Sequence, residues 1–558
     1  MNTTPRAFGS IPGDVNTAAL IVFSVSLLAF TIGLSGDSFI LFQTRFALFV
    51  KHMMETGPTW FPVTYDRPFP DYPVTPTLMI YFTSKMMGGL DRVSAVLPSA
   101  IASAVTVSFT YLIAARLDRR WGYASVLFSF LCLGFVSESR TISMDQFTTA
   151  VSTVSFYLAL ASDRAKSRKY LFAFALLFAI GFLFRGPIGV IVPTAVICIF
   201  FLVNRDIKGF FIIGVIGAMV LIACSLGLLA AAYHVGGMEF VSRVIDMEVA
   251  DRLSRANEPF HFYLTHGPGN YSITFVVAVL VVLVLLLPSS RSNTRSILAN
   301  LDTDHRRLLS ALIGWALVVI IGLSFAATKK TRYILPAMPA LSLLAGYILV
   351  IPDTLSSVAK WLRKGLAIFL LLAPLAFMIM AIFAYHQATQ RVPDLKIGWA
   401  GTFAIIGSLL LCGAVAFFGT RGNLRISSVM LTSTLCFLFV MVYLVEPIQN
   451  RLYGIKAFVE KTEAYMIEHK AGLVFYKEDP EGDPIHYLAN ASNLLRPRFI
   501  LTLVELENLD RNSVIVIDAD KYELLPDKIK RMTQIIYSSQ AVARYRPVAL
   551  VMDDPNNK

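Results

Sequence analysis

A group of basic residues lies in the segment Ala-Ala-Thr-Lys-Lys-Thr-Arg-Tyr, between two apolar stretches of the chain. Its cations are Lys329, Lys330 and Arg332. Such groups bind anions, and Arg in particular forms charge-assisted, bidentate hydrogen bonds with phosphate. Beside apolar helices, the anion that fits best is a lipid phosphate. The segment therefore predicts a lipid-phosphate site, and binding of lipid headgroups without chemistry is the alternative.

Arg185 and Tyr333 are two further candidates for this anion site. Arg185 precedes Gly186-Pro187, where the chain turns and a new helix is expected to begin. The free N–H groups in the first turn of a helix also bind anions. Tyr333 can donate a hydrogen bond to the same phosphate, although a lone aromatic residue is also typical of an interfacial anchor.

Three carboxylates are candidates for the catalytic groups, because an acid beside an apolar helix end is costly unless it is paired or used. They are Asp37, Asp71 and Asp145. Asp145 stands just inside an apolar stretch, where it can accept a proton from an attacking hydroxyl. The alternative is a structural ion pair with Arg140, which we otherwise expect to support the acceptor.

Other residues of the same loops are expected to complete the site. Arg45 is a further candidate ligand of the phosphate. His261 and Glu258 are the one candidate pair for a divalent metal ion, although their spacing matches no strong ligand motif, and no other cofactor is predicted. The residues expected to support the acceptor, besides Arg140, are Tyr72, Arg67, Arg252 and Arg255.

The composition is that of an integral membrane protein. Of 558 residues, 56% are hydrophobic and 15% are charged, as expected for a chain whose solvent is largely lipid. Apolar runs recur at close to the roughly 20 residues that cross a bilayer. They predict thirteen transmembrane helices, near 17–36, 93–115, 123–138, 142–162, 170–184, 187–203, 209–232, 269–288, 308–326, 333–351, 365–384, 399–418 and 425–446.

Lys and Arg in the short loops set the orientation, since cytoplasmic loops carry the excess of positive charge. The loops that include 116–120, 164–169 and 360–364 belong to the basic set. We therefore predict a multi-pass protein of the bacterial inner membrane, with a cytoplasmic N-terminus and an outer, periplasmic C-terminus. The net charge of +12 mostly reflects this bias, and no soluble segment is basic and aromatic enough to predict nucleic-acid binding.

Two long outer loops, 37–92 and 233–268, are expected to form the active-site side of a transmembrane domain over 1–446. The second loop contains a predicted helix over 240–255, whose apolar face is also typical of a helix that lies on a bilayer. From 447 to 558 the composition changes to an amphipathic helix and β-rich runs. The predicted fold class is a polytopic α-helical membrane protein with outer juxtamembrane helices and a small C-terminal α/β domain.

Taken in order, these motifs resemble those of the C-type glycosyltransferases that use polyprenyl-phosphate sugars, the superfamily of protein O-mannosyltransferases and lipid A aminoarabinose transferases. The resemblance covers nearly the whole chain and implies transfer of a sugar from a polyprenyl phosphate to lipid A, another glycolipid or a protein. A lipid or sugar transporter and a non-catalytic envelope-assembly protein are the alternatives. The matching stretches are the first-loop helix from Gln43, Phe69-Pro-Asp-Tyr-Pro, Arg140 to Asp145, Phe184-Arg-Gly-Pro-Ile-Gly and Lys330-Thr-Arg-Tyr-Ile-Leu-Pro.

Two positions depart from the family pattern. Phe42 stands where the first-loop helix of the family has an Asp. Either Asp37 reaches the site instead, or Asp145 and Asp71 act without a first-loop acid. Tyr72 stands where the aminoarabinose transferases have a Lys, and both departures argue against aminoarabinose as the sugar.

Overall fold

The structure, a computed structural model, describes most of the chain. The described residues are 13–34, 36, 38–70, 73–162, 168–247, 258–289, 292–391, 399–418, 426–510, 512–539 and 545–552. Five of the predicted site residues lie outside them, and their roles stay predictions: Asp37, Asp71, Tyr72, Arg252 and Arg255.

Apolar runs with few helix breakers form the helices of the first half of the chain. An antiparallel hairpin, β1 (Val63–Thr64) and β2 (Arg67–Pro68), follows the second helix. The last helix bends at Gly236 and Gly237, and Gly237 has a φ of 64°, which favours glycine. The helices are α1 (Gly13–Thr31), α2 (Gln43–Thr56), α3 (Thr75–Met86), α4 (Arg92–Ala115), α5 (Arg119–Phe130), α6 (Leu133–Ser139), α7 (Met144–Ala161), α8 (Arg168–Arg185), α9 (Ile188–Val203) and α10 (Ile207–Ile245).

The second half of the bundle includes short irregular turns as well as long helices. Two strands, β3 (Pro288–Ser289) and β4 (Ser292–Ser296), form a small hairpin. A 3₁₀ helix over Thr331–Ala337 carries part of the basic group, and a π-helical turn spans Met441–Val445. The α-helices are α11 (Phe262–Leu286), α12 (Ile297–Asn300), α13 (Thr303–Ser324), α14 (Met338–Gly346), α15 (Ser357–Arg391), α16 (Trp399–Phe418), α17 (Ile426–Val440) and α18 (Glu446–Tyr453).

Each predicted transmembrane segment overlaps a helix, but some of those helices are too short or too polar to cross a bilayer by themselves. Among the described residues, eight helices are long and apolar enough, or nine if α5 and α6, which meet at 73°, count as one span. α7 carries buried polar side chains, α8 carries three basic residues and α9 has only 16 residues. The number thirteen is therefore not confirmed, whereas a multi-pass helical membrane protein is.

Two buried tryptophans fix the segment that follows the basic group. Trp315 on α13 donates its Nε1–H to the Pro336 carbonyl oxygen at 2.8 Å, and Trp121 on α5 donates to the Leu343 carbonyl oxygen at 2.7 Å. Both indole rings are fully buried. Because buried indole N–H groups need a partner, these bonds hold the 3₁₀ helix and α14 firmly inside the bundle.

The predicted helix of the second outer loop is partly confirmed. Its apolar side chains Phe240, Val241 and Val244 are buried against Phe61 of the first loop, with the Phe61 and Phe240 rings 4.9 Å apart. These three side chains therefore pack on protein, whereas Ile245 of the same predicted face is exposed. The part of the predicted helix over 248–255 lies outside the described residues.

The C-terminal segment forms a mixed five-stranded sheet with helices around it. The strand order is β6-β5-β7-β9-β8, with β5 parallel to β6 and β7, and β9 antiparallel to β7 and β8. The strands are β5 (Gly472–Tyr476), β6 (Arg498–Ile500), β7 (Ser513–Asp518), β8 (Thr533–Ser538) and β9 (Pro547–Met552). The helices are α19 (Lys456–His469), α20 (Pro484–Asn490), α21 (Leu503–Glu507), α22 (Ala519–Glu523) and α23 (Asp527–Met532).

The first outer loop and this C-terminal sheet region are joined through α2 and α20. Leu48 on α2 belongs to the hydrophobic core of the sheet region. Asn490 accepts from the Phe39 N–H at 2.8 Å and donates to the Phe39 carbonyl oxygen at 2.9 Å. Tyr65 of the β1–β2 turn donates to the Pro480 carbonyl oxygen at 2.6 Å. The helix predicted to border the active site is thus built into the C-terminal core.

Candidate active site

Asp145 lies in the first turn of α7 and contacts an arginine from each of two other elements. Arg185, the last residue of α8, donates its Nε–H to Asp145 Oδ1 at 2.8 Å. The Nε of Arg332, on the 3₁₀ helix, lies 3.5 Å from Asp145 Oδ2. The Asp145 side chain is only 7% exposed. Three residues that the sequence predicts for the site are thus brought together, although they are far apart in the chain.

Arg140 does not pair with Asp145, contrary to the alternative that the sequence leaves open. It forms a bidentate ion pair with Glu446 of α18, with Nε–Oε1 at 2.6 Å and Nη2–Oε2 at 2.7 Å. It also donates to the carbonyl oxygens of Ala29 and Ile32, both at 2.8 Å. Because carbonyls at the C-terminal end of a helix lack partners within the helix, Arg140 satisfies the end of α1. Its contacts are those of a structural residue.

Arg332 has aromatic and acidic neighbours that orient its guanidinium group. The group stacks on the ring of Phe42, with 4.4 Å between Cζ and the ring centroid, a favourable cation–π distance. Its Nε has no hydrogen-bond partner among the described residues, and the side chain is 20% exposed. Phe42 stands where the family has an acid. It therefore contacts Arg332 through its aromatic ring and not through a negative charge.

Tyr333 packs against the other arginine of the pair. The Arg185 guanidinium lies 5.4 Å from the centroid of its ring. The half-buried side chain of Tyr333 therefore lies beside the predicted anion site.

The two lysines of the basic group occupy different surroundings. Lys329 is buried and donates to the carbonyl oxygens of Glu258, at 2.8 Å, and Ala326, at 2.6 Å. It thus ties the end of the second outer loop to this turn. Lys330, by contrast, is exposed. Of the two, Lys330 is the one placed to meet an anion from the surroundings.

Arg45 and Arg67, two further predicted site residues, belong to the first outer loop. Arg45 binds Glu481 in the C-terminal region, with Nη1–Oε2 at 2.9 Å, and its guanidinium lies over the Phe69 ring. Arg67 is exposed on β2. Arg45 therefore joins α2 to the C-terminal region, and its predicted contact with the donor phosphate stays a prediction.

The proposed metal ligands do not form a metal site in the described part of the chain. His261 and Glu258 are both exposed at the start of α11. Among the described residues there is no group of three His, Cys, Asp or Glu side chains that could hold a metal ion. The arrangement gives no support to the metal hypothesis.

Glu138 is a charged residue of the site that the sequence reasoning did not single out. It lies at the end of α6 and lines the same cavity as Arg332. The signal in the sequence is its position two residues before the stretch from Arg140 to Asp145 that resembles the family. The site therefore combines two guanidinium groups with two carboxylates.

Part of the sequence matches a known family. Residues 66–228 match the family of dolichyl-phosphate-mannose-protein mannosyltransferases. An uncharacterised protein of Aquifex aeolicus (strain VF5) is 27% identical over 340 residues, which are 59% of this chain and 73% of the relative.

The fold matches over nearly the whole chain. The crystal structure of ArnT from Cupriavidus metallidurans bound to undecaprenyl phosphate covers 96% of this chain and 98% of its own, with a TM-score of 0.70 and 15% identity. The apo structure of the same protein gives a TM-score of 0.67 over the same shares, also at 15% identity. The resemblance to the C-type glycosyltransferases that use polyprenyl-phosphate sugars, which the motifs indicate, is therefore confirmed by the family match and by the fold.

Proposed function

We propose that this protein transfers a sugar from a polyprenyl-phosphate donor to an acceptor at the periplasmic face of a bacterial inner membrane. The observation that carries the proposal is the pair of guanidinium groups, Arg185 and Arg332, held by Asp145 and close to the exposed Lys330. The family match and the ArnT-like fold support a lipid-phosphate donor. The excess of positive charge in the alternate loops supports the periplasmic side.

The chemistry follows from where negative charge develops. When the bond between the sugar C1 and the phosphate oxygen breaks, its electron pair stays with the phosphate. Guanidinium groups that are already in place stabilise this charge without further rearrangement. Because both arginines contact Asp145, we propose that this carboxylate keeps them in position, besides its predicted part in orienting the acceptor. Lipid A, another glycolipid and a protein remain the candidate acceptors.

The donor class is tested with purified protein in liposomes. We expect polyprenyl-phosphate mannose or another polyprenyl-phosphate sugar to be consumed, and the corresponding nucleotide sugar to be left intact. Arg185→Ala with Arg332→Ala should abolish consumption, whereas Arg498→Ala, at an exposed position on β6, is the matched control. Activity with the nucleotide sugar alone would overturn the proposal.

The acceptor is identified by comparing cells with and without the protein. Mass spectrometry of lipid A, other envelope glycans and envelope proteins should reveal one acceptor that gains a sugar residue. A lipid or sugar transporter would move its substrate across the membrane without changing its mass. Translocation of an unmodified sugar lipid, with no new glycosidic bond, would therefore contradict an enzymatic role.

A further inference from the structure

A cavity of about 300 Å³ opens beside the arginine pair. It lies between α6, α11, the 3₁₀ helix and the turn that precedes α18. Its polar wall includes Glu138, Arg332, Asn270, Tyr271 and Gln449. The Tyr271 hydroxyl donates to the Thr331 carbonyl oxygen at 3.0 Å, which fixes the wall to the segment that carries Arg332. The cavity therefore offers a polar space directly next to Arg332, one of the cations that would bind the donor phosphate.

The two carboxylates of the site differ in how far they are already engaged. Asp145 has one oxygen in a 2.8 Å hydrogen bond with Arg185 and the other in an ion pair with Arg332 at 3.5 Å. Both oxygens of Asp145 thus already contact guanidinium groups, and this arrangement suits the carboxylate to hold Arg185 and Arg332 in place.

Glu138 is placed differently. Its half-buried side chain belongs to the wall of the cavity, whereas Asp145 does not. Arg332, which lines the same cavity, also contacts Asp145. A group that deprotonates an acceptor must be within hydrogen-bond reach of the acceptor hydroxyl while the leaving group is bound nearby. Glu138 is placed to meet both conditions, because it lines the cavity together with Arg332, one of the proposed phosphate ligands.

We propose that Glu138 is the catalytic base for a hydroxyl acceptor that binds in this cavity, an inference that rests on the proposed transfer of sugar from a lipid phosphate. The acceptor hydroxyl oxygen forms a bond to the sugar C1, and its proton passes to the Glu138 carboxylate. The bond between C1 and the phosphate oxygen breaks, and its electron pair remains on the polyprenyl phosphate beside Arg332 and Arg185. Asp145 is then a positioning residue.

The test compares Glu138→Gln with Asp145→Asn in two separate measurements, the rate of sugar transfer and the dissociation constant of a polyprenyl phosphate. Glu138→Gln should lower turnover about 100-fold or more, as is typical of a lost general base, and leave the dissociation constant within about threefold of the wild type. Asp145→Asn should impair both, because the two arginines lose their common anion. Glu507→Gln, at a half-exposed position of the C-terminal region where Glu507 pairs only with Lys528 among the ion pairs of the described residues, is the matched control for the loss of one Glu charge.

A second variant keeps the inference testable if Glu138→Gln folds poorly. Transfer by Glu138→Ala should be partly restored by added formate, which can enter the cavity and act as the base, and Glu138→Asp should retain partial turnover. Turnover of Glu138→Gln within threefold of the wild type would overturn the inference, as would an equal loss of donor affinity and turnover. An acceptor that proves to be a phosphate monoester, which needs no deprotonation, would overturn it as well. Failure of the wild-type protein to consume any lipid-phosphate sugar would instead overturn the proposed function.

Discussion

Arg332 is the central residue of the site, because its guanidinium group contacts both a carboxylate and an aromatic ring. Asp145 lies on one side of its guanidinium group and the ring of Phe42 on another. A planar, delocalised cation can stack on a ring and still present donors in its own plane, which an ammonium group cannot do. The aromatic residue at position 42 thus explains how the site keeps this cation oriented without a first-loop acid in that position.

Arg332→Ala is expected to weaken donor binding. A charge-assisted hydrogen bond to phosphate contributes roughly 1.5–3 kcal/mol, which corresponds to a loss of affinity of about ten- to a hundredfold or slightly more. Arg332→Lys should recover only part of it, because Lys lacks the planar fork. The measurement is a binding titration of a polyprenyl phosphate in detergent. Unchanged affinity in Arg332→Ala would show that the phosphate binds elsewhere.

The sequence alone predicts the members of the site better than their pairing. Lys330, Arg332, Arg185 and Asp145 are recognisable because charge beside apolar helix ends is costly unless used. Their partners are not recognisable, since Arg140 and Glu446 are 306 residues apart in the chain and only the packing of α1, α6 and α18 brings them together. The same holds for the approach of Glu138 to Arg332, which line one cavity although they lie far apart in the chain.

At the scale of elements, the hairpin of α8 and α9 decides where Arg185 lies. The two helices approach so closely at Gly181 and Gly189 that a methyl group on either residue would overlap the carbonyl oxygen of the other. Small residues permit such contacts between helices in a membrane. The turn between them contains Gly186 at a φ of 63°. Backbone packing in α8 and α9 therefore fixes the position of the guanidinium group at the end of α8.

Gly181→Ala is expected to lower both thermal stability and sugar transfer, because the hairpin must open and Arg185 moves with it. Gly214→Ala on α10 is the control, since a methyl group there meets no atom within 4 Å. Thermal melting of the purified variants and transfer assays on the same samples provide the measurement. If Gly181→Ala behaved like Gly214→Ala, the close contact of the two backbones would be wrong.

The ion pair of Arg140 and Glu446 connects α6 with α18, and its contribution to stability can be measured. Removal of one partner leaves an uncompensated buried charge, which costs about 3–5 kcal/mol. We therefore expect Arg140→Met to destabilise the protein strongly, and Arg140→Met with Glu446→Leu to be more stable than Arg140→Met alone. Unfolding in detergent, followed by tryptophan fluorescence, measures the difference. A double variant no more stable than the single one would show that the bonds to Ala29 and Ile32 dominate.

At the scale of the whole molecule, α2 contributes side chains to two separate hydrophobic cores. One of its faces contributes to the core of the bundle and another to the core of the C-terminal sheet region. Lys51 strengthens the junction by donating to the carbonyl oxygens of Leu488, at 2.8 Å, and Ala491. Burial lowers the pKa of Lys51 to about 7, with the charge of Lys456 acting in the same direction and that of Glu463 against it.

This lowered pKa predicts a dependence of stability on pH. Between about pH 7 and pH 10.5 the unfolded chain binds a proton at Lys51 that the folded protein does not, so the free energy of unfolding rises with pH in that window. The contribution reaches at most about 1.4 kcal/mol per pH unit. The melting temperature of the wild type, relative to that of Lys51→Met, should therefore rise from pH 7 to pH 9. A difference that stays constant would contradict the prediction, and Lys461→Met, at an exposed position on α19, is the control.

The hydrogen bond between Phe39 and Asn490 joins residues that are 451 positions apart in the chain. This separation corresponds to a delay during synthesis of the protein. At roughly 5–20 residues per second, a ribosome needs about 20 to 90 seconds to reach Asn490 after it has made Phe39. During that interval the first outer loop lacks the C-terminal surface that completes it. Quality-control proteases would meet this loop in every unfinished copy, and a nonsense mutation late in the gene would yield an inserted protein with an exposed, incomplete loop.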